Sequence, residues 1–340
     1  MLKILMNNRL RKLGSASHQI TREEIQRSSK ILFAVFSRYG DAIASFKVID
    51  EFILLHPGKT FFILTSPQLS PYARELISGN VDLSYVNRRR NPFKLLRIIQ
   101  KLKREKIDLG LNPLAWGLDS EFFITFAKGF SSFKEFCRRP IHYNLYDSVR
   151  EYLLMPEKET NLRPPTFIDK IGNIVLAPSS TEIRKSLDRK DLANLIRLLR
   201  DRFSDPEITV AVPARDWKNV HGVKKFKLGK AIKNSEEFLK LVKSADLFVG
   251  VDAGPLHLAD ALGVRAIGIF GPNAPETFMD RDSGILPIRY EGLAGIYCLL
   301  HGCKDPVCIH KLFDTSFLGN NTIIKFGRDF VHERNVCRAR

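Results

Sequence analysis

The stretch Leu247-Phe248-Val249-Gly250-Val251-Asp252-Ala253-Gly254-Pro255-Leu256-His257-Leu258 changes character at Asp252. An unbroken apolar run of this length is the pattern of a strand buried on both faces of a parallel sheet. Asp-Ala-Gly then marks a turn. Pro255 suits the first turn of a helix, where its missing N–H would have had no partner in any case. Strand, polar turn and helix are therefore expected in that order, with a helix N-terminus opening where the strand ends.

The same alternation spreads in both directions. Downstream, Ala266–Phe270 reads as a strand. Upstream lie a helix over Phe238–Val242, strands at Asn173–Ala177 and Ile208–Val212, and a helix over Leu192–Leu199. In the first half, Ile31–Phe36 and Phe61–Leu64 are apolar strands. Between them Ile43, Phe46, Ile49, Phe52 and Ile53 recur at helical spacing until Pro57-Gly58 ends the helix. Leu95, Ile98, Ile99 and Leu102 form another helical stripe, followed by an extended segment at Asp108–Asn112 and a helix near Leu145–Met155. Repeated strand–helix units predict an α/β fold with doubly wound parallel sheets.

A chain of 340 residues is long for one core at about 150 residues per domain. Pro156, Pro164 and Pro165 mark the linker. The expected division is a basic N-terminal extension over 1–28, a Rossmann-like domain over 29–160, and a second over 161–340. Apolar residues make up 44% and charged residues 27%, which excludes a disordered, collagen-like or membrane-spanning chain. Lys3, Asn7, Asn8 and Arg9 interrupt the opening residues, so no secretory leader of about 7–15 apolar residues is read, and a cytoplasmic location is expected. The odd cysteine count of 5 agrees with a reducing compartment. The net charge of +17 favours anionic partners. A nucleic-acid binder is the alternative from another functional class, but no DNA or RNA motif supports it and none is expected.

Ligands of open parallel sheets sit at the carboxyl ends of strands, where helix N-termini offer unpaired N–H groups. Three such ends are polar. In Ser37-Arg38-Tyr39-Gly40-Asp41, Gly40 permits a tight turn, and Asp41 reads either as a general base or as a helix N-cap. In Pro178-Ser179-Ser180-Thr181-Glu182-Ile183-Arg184-Lys185, the hydroxyls of Ser179, Ser180 and Thr181 and the ammonium of Lys185 suit a diphosphate; a solvated, capping loop is the bland reading. The third end is the opening stretch. There Asp252 is placed to orient amides or meet ligand hydroxyls, and Ala253, Gly254, Pro255 and Leu256 bring helix amides to an anion. His257 either reaches the ligand or satisfies its nitrogens in the core.

The segment from Ser244 to Val264, continuing to Phe270-Gly271-Pro272, resembles the donor-site signature of glycosyltransferase family 9, which contains the ADP-heptose:lipopolysaccharide heptosyltransferases. Ser37–Asp41 resembles that family's N-terminal Gly-Asp loop, and Lys185 stands where the family has a lysine after the hydroxyl-rich turn. All three motifs occur in family order. The resemblance implies a GT-B fold of two Rossmann-like domains facing a cleft, and inverting transfer of heptose from an ADP-sugar to an anionic, lipid-linked saccharide at the inner-membrane surface. It implies that Asp41 accepts the acceptor's proton while Ser179, Ser180, Thr181, Lys185 and the amides near Ala253–Leu256 hold the departing ADP. No cofactor or metal is required by that scheme. A related donor or acceptor is the alternative within the class. Ala253 stands where the family commonly has Ser or Thr, Lys47 where it has Pro, and Leu187 where an aromatic is frequent.

Two further features remain. Cys298, Cys303 and Cys308, with His301 and His310 between and beyond them, offer ligand types for a metal, although the spacing lacks a C-x2-C pair; family members often carry cysteines in this late loop. Arg88-Arg89-Arg90 and the helix bearing Lys94, Arg97, Lys101, Lys103, Arg104 and Lys106 read as a solvated basic face with a use in peripheral membrane attraction.

Overall fold

A computed structural model of the chain describes residues 19–87, 92–114, 118–133, 144–161, 171–213, 229–289, 307–310 and 312. The chain divides into two compact units, Met1–Lys158 and Glu159–Arg340. Residues 1–18 of the basic extension, Arg88–Arg90, Pro164, Pro165, Cys298, His301 and Cys303 lie outside the described residues. Among the described residues no helix is long and apolar enough to cross a membrane.

Unit 1 opens with a short helix, α1 (Arg22–Arg27), closed by a capping box in which Thr21 and Glu24 bond reciprocally. Then come β1 (Lys30–Val35), α2 (Tyr39–Leu55), β2 (Thr60–Thr65), α3 (Ser70–Leu76), β3 (Val81–Tyr85), α4 (Pro92–Glu105), β4 (Leu109–Asn112), α5 (Leu118–Ile124), β5 (Gly129–Ser132) and α6 (Leu145–Tyr152). The strands form one sheet in the order β3-β2-β1-β4-β5, every pair parallel. After Lys30 the central strand is apolar because both its faces are covered, and Ile31–Val35 are all buried. On one face Phe33 meets Phe52 of α2 edge-on at 5.6 Å between ring centroids, a preferred aromatic geometry. Helix α6 is bound to α2 by Arg150, whose side chain is 4% exposed and forks onto Glu51 at 2.8 and 3.0 Å. The stripe Leu95, Ile98, Ile99 and Leu102 on α4 is core, as its spacing predicted. The opposite face is not uniformly solvated. Lys101 bonds Asp82 and Ser84 on β3, and the Lys94 ammonium sits 3.5 Å from the Tyr85 ring centroid.

Unit 2 contains β6 (Asn173–Ala177), a 3-10 turn at Ile183–Lys185, α7 (Arg189–Phe203), β7 (Glu207–Pro213), β8 (Gly229–Ile232), α8 (Ser235–Lys243), β9 (Leu247–Val251), α9 (Gly254–Ala261), β10 (Ala266–Phe270), the short α10 (Pro275–Phe278), β11 (Ile285–Arg289) and α11 (Val307–His310). Its parallel sheet runs β11-β10-β9-β6-β7-β8. The order reverses between β6 and β9, so the turns after these two strands leave the same point of the sheet in opposite directions. In such sheets that point is where a crevice forms. Side chains of β6, β7, β9 and β10 pack against α7, and Ile309 and Leu312 join the same core. Each unit is thus a parallel α/β sheet whose strand order reverses at its centre.

Candidate functional site

The register pairs Ala177 of β6 with Gly250 of β9, so the two turns begin side by side. The first turn, 178–187, is a closed loop. The Leu187 amide returns to the Pro178 carbonyl at 2.9 Å, and the Leu187 side chain, where an aromatic is frequent in the resembled family, is buried in the core beneath. Inside the loop the Ser186 hydroxyl accepts from the Ser180 amide at 2.9 Å, and the Ser180 hydroxyl accepts from the Glu182 amide at 3.2 Å. The Arg184 guanidinium lies on Glu182 at 2.9 and 3.0 Å. These bonds hold half-buried Ser179 and Ser180 and exposed Thr181 at the carboxyl end of β6.

The second turn presents Asp252 directly beside the first. The Lys185 ammonium stands 2.9 Å from Asp252 Oδ2, with side chains only 12% and 3% exposed. The same oxygen accepts from the Asn273 amide at 2.6 Å, while His257 Nε2 lies 4.0 Å from Asp252 Oδ1. Ala253 is the N-cap of α9, and its side chain makes no capping bond. Gly254 opens the helix, Pro255 falls in its first turn, and Leu256 and His257 are buried. The amides of that turn are the ones a helix cannot satisfy internally.

The arrangement therefore combines an ammonium fixed by a buried carboxylate, a hydroxyl-bearing turn, and a helix N-terminus. Lys185 has three N–H donors and its bond to Asp252 occupies one direction, so the ammonium can still donate to an anion. The Phe278 ring, 5.6 Å from the ammonium, borders it on another side. Each cation here has a carboxylate neighbour, with Glu182 Oε1 also 3.9 Å from Lys185. Attraction for any anion at this turn consequently falls on the α9 dipole and the hydroxyls as much as on fixed charge.

In unit 1, Asp41 lies at the carboxyl end of β1, where the sheet order also reverses, between β1 and β4. The structure corrects two details. Arg38, not Asp41, occupies the N-cap of α2, and Asp41 is the third helical residue, so the capping reading falls away. Gly40 is already helical and does not make a left-handed turn; among the described glycines the one with positive φ is Gly263. The helix begins earlier because Tyr39 anchors it, its ring edge-on to buried Tyr72 at 5.1 Å and the two hydroxyls 3.1 Å apart.

Asn273, Phe278 and Ser186 escape a reading of motifs. The available signal was topological, since Asn273 follows Phe270-Gly271-Pro272 at the end of β10, which is the strand next to β9. Of the cysteine cluster, Cys308 is described, partly buried and packed on the core. Metal-ligand atoms converge at Asp188, Asp191 and His310, within 4.8 Å of one another. These are engaged already. Asp188 caps α7 by accepting from the Asp191 amide at 2.8 Å, and His310 Nδ1 is 2.6 Å from Asp191. Burial raises the Asp191 carboxyl above its ordinary value, with His310 opposing the rise.

Residues 142–284 match the model of glycosyltransferase family 9 (heptosyltransferase). No curated protein matches the chain. Among solved structures it is similar to E. coli heptosyltransferase WaaC with ADP-2-deoxy-2-fluoro heptose, at 16% identity and a TM-score of 0.58, covering 86% of this chain and 99% of that one. It is similar to E. coli ADP-heptose lps heptosyltransferase II at 13% identity and 0.57, covering 77% and 90%. A family 9 glycosyltransferase from Veillonella parvula aligns at 13% identity and 0.57, covering 86% and 94%.

Proposed function

We propose that this chain, whose residues 142–284 match the model of glycosyltransferase family 9, is a glycosyltransferase that moves heptose from ADP-heptose to the inner core of lipopolysaccharide, inverting the anomeric carbon. The observation that carries the reading is the Lys185–Asp252–Asn273 cluster, built round the buried Asp252 carboxylate, beside the start of α9 at the β6/β9 reversal. The solved WaaC structure, similar in fold, holds an ADP-heptose analogue.

In this scheme the diphosphate lies between the Ser179–Thr181 turn and the amides of Ala253–Leu256. As the bond from the anomeric carbon to the phosphate oxygen breaks, its electron pair goes to ADP. The growing charge meets the Lys185 ammonium, the serine and threonine hydroxyls and the helix N-terminus, all fixed before the reaction starts. Asp252, itself held by the Asn273 amide, fixes the ammonium where that charge appears. The acceptor oxygen attacks the opposite face of the sugar and passes its proton to Asp41. These protein groups supply the neutralisation that a divalent cation supplies elsewhere, so the scheme runs without one. The acceptor is anionic and lipid-linked, which places the reaction at the cytoplasmic face of the inner membrane.

Asp41→Asn tests the base. Transfer should fall by about 10²–10⁴-fold with ADP affinity retained; full activity would remove Asp41 from this role. Protection against thermal unfolding tests the donor. An ADP-sugar should protect because it binds the folded state, and selective protection by a UDP-sugar would overturn the assignment.

A further inference from the structure

Helix α11 has only four residues, too few to hold its shape alone, so its place is set by what it touches. What it touches is the root of both turns of the candidate donor site. Its His310 ring reaches the first turn of α7, where Nδ1 stands 2.6 Å from Asp191 Oδ2 and 4.0 Å from Asp188 Oδ2. The Asp191 side chain is 4% exposed, so the tie is made inside the protein. Asp188 follows directly on Leu187, whose amide closes the loop that presents Lys185. The neighbouring residues of α11 meet the turn after β10. A Cβ placed on Gly271 would stand 2.9 Å from Ile309 Cγ1 and 3.3 Å from Cys308 Sγ, so the backbone of that turn rests directly on α11. Pro272, with its fixed φ, joins Gly271 to Asn273, whose amide donates to Asp252 at 2.6 Å. Buried Ile309 shares a core with Leu187, and Ala253 at the start of α9 packs on the same core.

One short segment therefore backs the Lys185 loop, the Asn273 turn and the N-cap of α9. We propose that His310 is a positioning residue of the donor site: it locks α11 onto α7, and α11 in turn fixes the Asn273 turn against the Lys185 loop. The inference rests on the reading of these turns as the site that holds the departing diphosphate. Released from Asp191, α11 lets the Gly271 turn relax. Asn273 then loses its hold on Asp252, and the Lys185 ammonium is no longer fixed where charge develops. Stabilisation of this kind depends on groups set before the reaction, and a misplacement of about 1 Å costs up to about 10²-fold in rate.

Variants of the full chain test it, each read by kcat and KM with ADP-heptose, by ADP affinity in titration calorimetry, and by the side-chain amide resonance of Asn273 in protein carrying isotope-labelled asparagine. His310→Leu should lower kcat about tenfold or more, weaken ADP about fivefold and shift the Asn273 resonance. His310→Asn puts an amide nitrogen where Nδ1 stands, so rate and affinity should return to within about twofold of the wild type and the resonance to its place. Gly271→Ala, which drives the same turn off Ile309 from the other side, should reproduce the losses of His310→Leu. Leu199→Val, in the last turn of α7 and in the same core, should lower the thermal midpoint and leave kcat, ADP affinity and the resonance unchanged. A merely structural His310 would behave as Leu199 does, and that result overturns the proposal. So do equal losses in His310→Leu and His310→Asn, or an Asn273 resonance that does not move. The two readings fail separately. If the wild type binds no ADP, the donor-site assignment falls, while the Asn273 resonance still decides whether His310 places that turn.

Discussion

Replacing either member of the Lys185–Asp252 pair should expose how the candidate donor site is held. At 2.9 Å and an effective dielectric constant of about 20, the two charges attract by about 6 kcal/mol, before the cost of removing them from water. Removing one member of a pair this buried costs about 3–5 kcal/mol, because the other charge is stranded. The two members are not equivalent. Without Lys185, the Asp252 carboxylate, 3% exposed, keeps the neutral Asn273 amide at 2.6 Å and the buried His257 ring at 4.0 Å but loses its close cation. Without Asp252, the ammonium still has Glu182 at 3.9 Å and more access to water. Lys185→Met should therefore sit at the upper end of that range and Asp252→Leu at or below the lower. The double substitution should cost less than the Lys185→Met change alone, since an apolar pair of similar size leaves no buried charge. Scanning calorimetry reads this in the transition of unit 2. Each 1 kcal/mol moves the midpoint of a unit this size by about 2–4 °C, so Lys185→Met should lower it by about 10 °C or more. Added salt should change the ordering little, because buried pairs are weakly screened. Single substitutions that each cost under about 1 kcal/mol, or that simply add, would refute the account of Asp252 as the group that fixes Lys185.

Asp108 receives the Lys128 ammonium at 2.7 Å and the Ser29 hydroxyl and the Ser29 and Lys30 amides at 2.8–3.1 Å, with the lysine foremost in holding its carboxyl well below the usual range. A depressed value stabilises above the unfolded carboxylate pKa and is lost as pH falls, so Asp108→Asn should cost about 1–2 kcal/mol near neutrality and progressively less in acid, measured by unfolding across pH. Asp191 has the opposite sign: burial favours its protonated form, so unit 2 should lose stability as pH rises from the unfolded carboxylate value to the raised one, and Asp191→Asn should flatten that slope. Gly110 of β4 lies against α5, where an added Cβ would stand 2.6 Å from the Ile124 carbonyl oxygen and 3.0 Å from its Cα. Since backbone cannot move aside as a side-chain tip can, Gly110→Ala should destabilise unit 1 by about 1–3 kcal/mol or more in the same calorimetric experiment.

The central strands were legible because they are buried on both faces. Asn173–Ala177, Leu247–Val251 and Ala266–Phe270 were read with their observed limits. The outer strands were not. In Val81–Tyr85 the residues Asp82, Ser84 and Tyr85 keep part of their surface in solvent, so selection for continuous apolarity is relaxed there. Gly229–Ile232 is a short edge strand for the same reason. In the candidate site, Lys185 and Asp252 were each visible in their own turns, 67 residues apart.

By itself the sequence determined the alternation of strand and helix, and with it which polar turns stand at carboxyl ends, because period and burial are local properties of a chain that must hide its apolar side chains. Only the tertiary structure decided that β6 and β9 are neighbours. That adjacency brought Lys185 to Asp252, and the pairing of β10 with β9 added Asn273 to the same hydrogen-bonded group. It could not be read along the chain, because strand order is set by how helices pack across a whole sheet rather than by the residues that meet at its edge.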